Sequence, residues 1–256
     1  MSRYQPTYSQ QGDGPLLLFL HGLGGNHDAF AHQFADLSKD YRCVAWNAPG
    51  YGSSAALPVL TFEQLSDCVA SLVAALGQDP HAVIGHSFGG MVAQNWVAAG
   101  GQCDKLVLAQ TTARFGKPGS DWNREFLAAR LQPLEQGLTP ADFAPGLIRN
   151  LFCDPQRTAA MAMAEATMAT LPAAVYRQVI ECLVTFDGSA ALAEITQPTL
   201  CMAAQHDATA PPKAVQWMAQ RLPAAHYHCL PDAGHLAYVE SPALFNAALR
   251  EFLEHG

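Results

Sequence analysis

The sequence predicts an α/β fold with a mostly parallel sheet of about seven to eight strands flanked by helices. Three observations predict it. Short apolar runs recur between helix-length segments, the runs are almost continuously apolar, and 50% of the 256 residues are hydrophobic. Runs without polar alternation are typical of strands that are covered on both faces.

Six apolar runs have the length of strands. They comprise residues 16–20, 43–46, 82–84, 106–109, 199–203 and 226–230. Capping and stop signals predict three helices of the same core, over 61–76, 88–99 and 241–253. Thr61 and Gln64 have capping-box spacing at the first start, and Ser241 followed by Pro242 gives an N-cap and a first-turn proline at the last.

The middle of the chain is different because its strand-like runs disappear. Helix starts at Thr139-Pro140 and Asp154-Pro155 replace them. We therefore expect a helical cap over 113–195, inserted into a core formed by 1–112 and 196–256. The cap also offers a surface for a homodimer, which the sequence leaves open.

Composition excludes several classes of partner. The balance of 14 basic and 22 acidic residues gives a net charge of −8 without a Lys/Arg run, which argues against nucleic acid. The apolar stretch 16–20 is too short to cross a bilayer and lacks the flanks of a leader, so we expect a cytoplasmic protein with no membrane partner.

Metals and cofactors are not indicated either. The 7 cysteines are scattered without C-x-x-C spacing, so neither a disulfide framework nor a zinc site is encoded. No H-E-x-x-H, P-loop or G-x-G-x-x-G sequence occurs. We expect no metal and no cofactor.

The strongest local motif is G-x-S-x-G around Ser87. It lies between the run 82–84 and the helix over 88–99, which is the strand-turn-helix context of a nucleophile elbow. Small residues two positions before and after the serine allow the strained turn, and the helix N-terminus offers backbone N–H groups to an oxyanion.

A serine nucleophile needs an imidazole base and a carboxylate that orients the base. His235 lies on the loop after the last apolar run, where the chain order serine, acid, histidine places the base. Asp207, just past the run 199–203, is the predicted acid. Asp232 and Asp187 are the alternatives.

The oxyanion should be held by two backbone N–H groups. One belongs to Phe88, directly after the nucleophile, and the other to Leu23 in the glycine-rich loop after the first long strand. The glycines of that loop permit a close approach of backbone to ligand.

Taken together, His21-Gly22, the G-x-S-x-G motif, Asp207 and His235 resemble the α/β-hydrolase family over essentially the whole chain. Within it, the sequences around Asp207 and His235, together with Trp122 and Arg124 early in the cap, look most like the 3-oxoadipate enol-lactonases and similar serine hydrolases. The resemblance implies that the cap follows the strand after the elbow. The N-terminal segment is too short for a full first hairpin, so we expect seven strands rather than eight.

The resemblance implies a serine hydrolase that cleaves a carboxylic ester or lactone of a small molecule through an acyl-enzyme. Cleavage of a carbon–carbon bond in aromatic meta-cleavage products is an alternative with the same triad, and a non-catalytic receptor for a small ligand is another. Serine rather than aspartate at position 87 disfavours dehalogenase and epoxide hydrolase chemistry.

Substrate choice is expected to come from the cap and from the loop at the pocket mouth. Tyr51 lies in that loop, Trp122 and Phe126 can form apolar walls, and Arg124 is a candidate clamp for a substrate carboxylate. An exposed arginine on a helix face is the alternative interpretation of Arg124.

Overall fold

The computed structural model describes residues 4–117 and 119–256. Its centre is one seven-stranded sheet in the order β1-β3-β2-β4-β5-β6-β7. The strands are β1 Tyr8–Gln11, β2 Leu16–Leu20, β3 Arg42–Trp46, β4 Ala82–His86, β5 Lys105–Ala109, β6 Thr199–Ala204 and β7 Ala225–Leu230. β1 pairs antiparallel with β3, and the other neighbours are parallel. The predicted fold class is confirmed, with seven strands.

Ten α-helices connect and cover these strands within the described residues. They are α1 Ala31–Leu37, α2 Phe62–Leu76, α3 Phe88–Ala98, α4 Asp121–Glu135, α5 Pro140–Arg149, α6 Thr158–Ala169, α7 Ala173–Leu183, α8 Pro212–Ala219, α9 Ala237–Glu240 and α10 Pro242–His255. α2 packs against α3, α1 packs against α10, and α8 covers β6 and β7. Two 3-10 helices, His27–Phe30 and Ser189–Glu194, complete the set.

The capping signals locate most of the predicted helix ends. The Thr61 side chain accepts a hydrogen bond from the Gln64 N–H at 3.2 Å, and Gly77 ends α2 with a left-handed φ of 68°. Asp154 behaves differently, because its carboxylate accepts from the Gln156 N–H in a turn and α6 begins only at Thr158.

β7 also departs from the expectation that both faces of every strand are covered. His226, Tyr227 and His228 are exposed because β7 is the edge of the sheet and pairs only with β6. The central strands β2 and β4 are buried along their whole length, as their continuous apolarity predicts.

Helices α4 to α7 lie between β5 and β6, where the sequence predicts the cap. The chain leaves and rejoins the core at one place, since Arg114 forms a β-bridge with Asp187 and the Gly188 N–H donates to the Ala113 carbonyl at 2.8 Å. Within the cap, the Asn123 side chain donates to the Val184 carbonyl at 2.9 Å and ties α4 to the end of α7.

His21, at the end of β2, joins two loops at the carboxyl edge of the sheet. Its Nδ1 lies 2.8 Å from the Gly22 carbonyl, and its Nε2 accepts from the Ala48 N–H at 3.1 Å. These partners require a neutral ring with the proton on Nδ1. The ring packs on Tyr51 with centroids 4.6 Å apart, and burial lowers the pKa of His21 to about 4.

Acid should destabilise the protein through His21. The unfolded imidazole takes up a proton near its ordinary pKa of 6.5, whereas the folded one stays neutral down to about 4, so stability falls as the pH drops through this window. At about pH 4.5 the difference amounts to about 3 kcal/mol. Between about pH 7.5 and 4.5, we expect urea denaturation of His21→Leu to show a loss about 3 kcal/mol smaller than that of the wild type.

Asn47→Ala is the matched control for this prediction. Its side chain holds the same region by accepting from the His27 N–H and donating to Thr7. The variant should lose stability at both pH values and keep the wild-type pH dependence. A pH dependence in His21→Leu as steep as in the wild type would contradict the assignment.

Candidate active site

Ser87 occupies a strained turn between β4 and α3. Its φ is 51° and its ψ is −118°, a conformation that side-chain-bearing residues rarely adopt. The flanking glycines make the turn possible. A Cβ on Gly89 would lie 2.1 Å from the Leu20 carbonyl oxygen, and one on Gly85 would lie 2.6 Å from the Gly89 carbonyl oxygen. The G-x-S-x-G spacing is therefore a steric requirement of this elbow.

Three loops bring Ser87, His235 and Asp207 together. The Ser87 Oγ lies 2.9 Å from His235 Nε2, and His235 Nδ1 lies 2.8 Å from Asp207 Oδ2. Since the carboxylate can only accept, Nδ1 carries the proton and Nε2 is left to accept the serine proton. The hydroxyl, imidazole and carboxylate form one continuous chain of hydrogen bonds.

Asp207 is buried, with 3% of its surface exposed. Burial favours the neutral acid, but the His235 ring and the N–H groups of Ala210 and Thr209 outweigh that effect and lower the pKa of Asp207 below its usual 3.8. Those two N–H groups lie 2.9 and 2.7 Å from Oδ1. The carboxylate is consequently ionised at neutral pH while it faces the imidazole.

Neither alternative acid bonds to His235 in the structure. Asp232 is exposed, and its carboxylate lies 3.9 Å from His206 Nε2. Asp187 is at the base of the cap, where its carboxylate accepts from the Ser189 N–H at 3.1 Å.

His86, directly before the serine, is a residue that the sequence reasoning missed. Its Nε2 donates to the His235 carbonyl oxygen at 2.8 Å and so ties the elbow to the histidine loop. Burial, together with the nearby His235 ring, lowers the pKa of His86 to about 3, and the ring is neutral. Nothing in the sequence distinguishes it from the other nine histidines, because its partner is 149 residues away.

The two predicted oxyanion donors lie at the same cavity as Ser87. Leu23 and Phe88 both line it, and neither backbone N–H has an acceptor among the described residues. Gly22 permits this approach, since a Cβ there would lie 3.1 Å from the Ser87 Cβ. Both N–H groups are therefore unengaged at the cavity, which is what a pair of oxyanion donors requires.

The cavity has a volume of about 730 Å³ including its open mouth, and core and cap residues both line it. Its apolar wall is formed by Leu23, Phe88, Met91, Phe115, Phe126, Leu147, Leu151, Leu183, Ala210 and Leu236. Gln110, Thr111, Thr112 and Thr209 add polar groups. Among the described residues, Arg130 is the only permanently charged side chain that lines this cavity.

The structure brings Phe126 to the cavity but not the other three predicted substrate residues. Tyr51 is buried behind His21, and Trp122 packs on Phe115 and Phe126 with 51% of its surface exposed. Arg124 points to solvent, where its guanidinium pairs with Asp121 and donates to the Gly119 carbonyl at 2.7 Å.

Helix phase explains why Arg130, and not the predicted Arg124, lines the cavity. Residues two apart on a helix lie on nearly opposite sides, and residues four apart lie on the same side. Because Phe126 faces the cavity, Arg124 cannot, whereas Arg130 does, 5.3 Å from the Phe126 ring centre. The spacing from Phe126 is the sequence signal that could have located it.

Two features are absent from residues 4–117 and 119–256. No helix there is both long and apolar enough to span a membrane. Nor do those residues contain a group of three or more His, Cys, Asp and Glu side chains placed to hold a metal ion.

Comparison with known proteins identifies the family of the chain. The model of the α/β-hydrolase fold family matches residues 15–242. The chain is 30% identical to a pimeloyl-(acyl-carrier protein) methyl ester esterase of Chromobacterium violaceum, over 95% of this chain and 96% of the relative. It is 26% identical to 3-oxoadipate enol-lactonase 1 of Acinetobacter baylyi, over 95% and 92%.

Among solved structures, an esterase from Thermogutta terrifontis superposes with a TM-score of 0.86 at 26% identity, over 97% of this chain and 92% of that one. The family match and the superposition confirm the resemblance to the α/β-hydrolases that the sequence motifs indicate. The chain belongs to the α/β-hydrolase fold family.

Proposed function

We propose that the protein is a serine hydrolase that cleaves a carboxylic ester or lactone of a small molecule through an acyl-enzyme. The observation that carries the proposal is the chain of hydrogen bonds from Ser87 through His235 to the ionised Asp207 at an elbow beside two unengaged N–H groups. The esterases and the enol-lactonase among its relatives support the same reaction class.

In the first half of the proposed cycle, Ser87 Oγ attacks the substrate carbonyl while His235 Nε2 takes its proton. The carbonyl oxygen becomes an oxyanion that accepts from the N–H groups of Leu23 and Phe88. Asp207 stays ionised and stabilises the imidazolium. Collapse of this intermediate breaks the bond to the leaving oxygen, which receives the proton from Nε2.

In the second half, His235 takes a proton from water as the water attacks the acyl-enzyme. The second tetrahedral intermediate expels Ser87 Oγ, which regains its proton, and the acid is released. With a lactone the leaving oxygen remains attached to the acyl group, so both ends of the opened ring leave as one product.

The cavity suggests what the substrate carries. Its wall is mainly apolar and favours hydrocarbon parts, but Arg130 places one guanidinium there. Arg130 and Leu147 also line a groove on the outer face of the cap, so they lie between the cavity and solvent. Among the described residues no carboxylate lies within 4.0 Å of Arg130, which leaves its donors available to an anionic group of the substrate.

Ser87→Ala removes the proposed nucleophile. We expect kcat on p-nitrophenyl esters to fall by at least about a thousand-fold, because general base catalysis and the acyl-enzyme are both lost. Labelling by a fluorophosphonate probe should also disappear, in this variant and in His235→Ala. Ser71→Ala, on α2 and away from the cavity, is the control and should keep both activities. Undiminished hydrolysis by Ser87→Ala would contradict the proposal.

Asp207→Asn tests the proposed acid against one of its two alternatives, Asp232. The amide cannot stabilise the imidazolium and permits the wrong tautomer, so we expect kcat to fall by about ten-thousand-fold. Asp232→Asn changes an exposed carboxylate on the loop of His235 and should leave kcat unchanged. The reverse ranking of the two variants would assign the acid to Asp232.

Arg130→Met tests the recognition of an anionic group. A charge-assisted hydrogen bond contributes about 1.5–3 kcal/mol, so kcat/KM for a p-nitrophenyl half-ester of a dicarboxylic acid should fall by about ten- to a hundred-fold. The value for neutral p-nitrophenyl butyrate should change little. Arg124→Met is the control on the solvent side of α4. Equal losses for both esters in Arg130→Met would contradict this role.

A further inference from the structure

Glu240, at the end of α9, is a buried carboxylate that the proposed cycle does not use. Only 1% of its surface is exposed. Its Oε1 accepts from the N–H groups of Cys153 and Asp154 at 2.8 and 2.9 Å, and its Oε2 accepts from the Gly234 N–H at 2.6 Å. No Lys, Arg or His among the described residues lies within ion-pair distance, so its hydrogen-bond partners there are backbone N–H groups alone.

These three donors belong to two different parts of the molecule. Cys153 and Asp154 lie in the cap segment between α5 and α6, and Gly234 directly precedes His235. The same parts meet again where the His235 N–H donates to the Leu151 carbonyl at 2.7 Å. The contact is close, since a Cβ on Gly234 would lie 2.5 Å from that carbonyl oxygen.

Three hydrogen bonds fix the backbone at His235 and at the residue before it. Its N–H is bonded to the cap, its carbonyl accepts from His86, and the preceding N–H is bonded to Glu240. Its ring must reach both Ser87 and Asp207 at hydrogen-bond distance. A displacement of about 1 Å of a reacting group can cost about a hundred-fold in rate, so the backbone position matters to the chemistry.

We propose that Glu240 is a positioning residue: it locks cap residues 151–154 onto the loop of His235 and thereby keeps the imidazole in register with Ser87. This inference rests on the proposed function of the triad. It assigns the cap a second role besides lining the cavity, because the base is held partly by cap backbone.

Glu240→Gln tests the proposal with almost no change in shape. An amide can accept through only one of its two end atoms, so its NH2 group must face at least one backbone N–H. We expect kcat to fall by about ten- to a hundred-fold with KM within about threefold of the wild type, because the base is displaced while the cavity wall remains. Hydrogen exchange at the amides of Gly234, Cys153 and Asp154 should accelerate.

Lys105→Met is the control for a purely structural effect. The Lys105 ammonium donates to the Phe252 and Leu253 carbonyls near the end of α10, away from the cavity. Its loss should lower the melting temperature and leave kcat at 25 °C unchanged. If Glu240→Gln behaves in the same way, melting earlier but turning over at the wild-type rate, the positioning role is refuted.

Gly234→Ala provides a second test should Glu240→Gln fail to fold. The added methyl group would lie 2.5 Å from the Leu151 carbonyl oxygen and 2.8 Å from the Cys153 nitrogen, so it pushes the cap segment away from the loop of His235. We expect kcat to fall as in Glu240→Gln, and because Leu151 also lines the cavity, kcat and not KM is the readout for this variant. Failure of the proposed function is recognised separately, because wild-type protein would then turn over no ester or lactone. The exchange rates would still report whether Glu240 locks the two segments together.

Discussion

The left-handed backbone at Ser87 is the constraint on which the rest of the site depends. This conformation costs about 1–3 kcal/mol and persists only when its surroundings hold it. The Ser87 N–H donates to the Ala109 carbonyl at 2.9 Å, and Thr111 donates to the Ser87 carbonyl at 2.8 Å. Ala109 ends β5 and Thr111 lies just beyond it, and β5 pairs in parallel with β4, the strand that leads into Ser87. The sheet itself therefore maintains the strained turn.

Two buried acidic side chains are held in the same way, by backbone N–H groups. Asp207 and Glu240 are both buried carboxylates, and each accepts from two or more backbone N–H groups. Backbone donors are already ordered by the fold, so they stabilise an anion without immobilising a long cationic side chain. The difference lies in the remaining partner. Asp207 directs one oxygen to the His235 ring. Glu240 instead accepts from backbone N–H groups through both of its oxygens, which fits the positioning role that we propose for it.

The features that were predictable from sequence are those with local causes. The elbow needs glycines within two residues of Ser87, and the proposed acid and base follow strands that the apolar runs predict. Contacts between residues that are far apart in the sequence have no comparable local signal. Glu240 meets Cys153 from 87 residues away, and the position of Arg130 depends on the phase of α4 against the cavity. Exposure along β7 was equally hidden, because it depends on the order of strands in the sheet.

The edge position of β7 explains why the histidine loop needs support from the cap. β7 has a neighbour on one side only, and from that side the loop receives the bond of the His206 N–H to the Ala233 carbonyl. An edge strand alone would leave His235 free to shift away from Ser87. Leu151 and Glu240 add bonds from outside the sheet, one through the His235 N–H and the other through the residue before it. The position of the His235 ring thus depends on the same insertion that lines the cavity. In the proposed function, a movement of the cap would therefore alter both the cavity wall and the alignment of the triad.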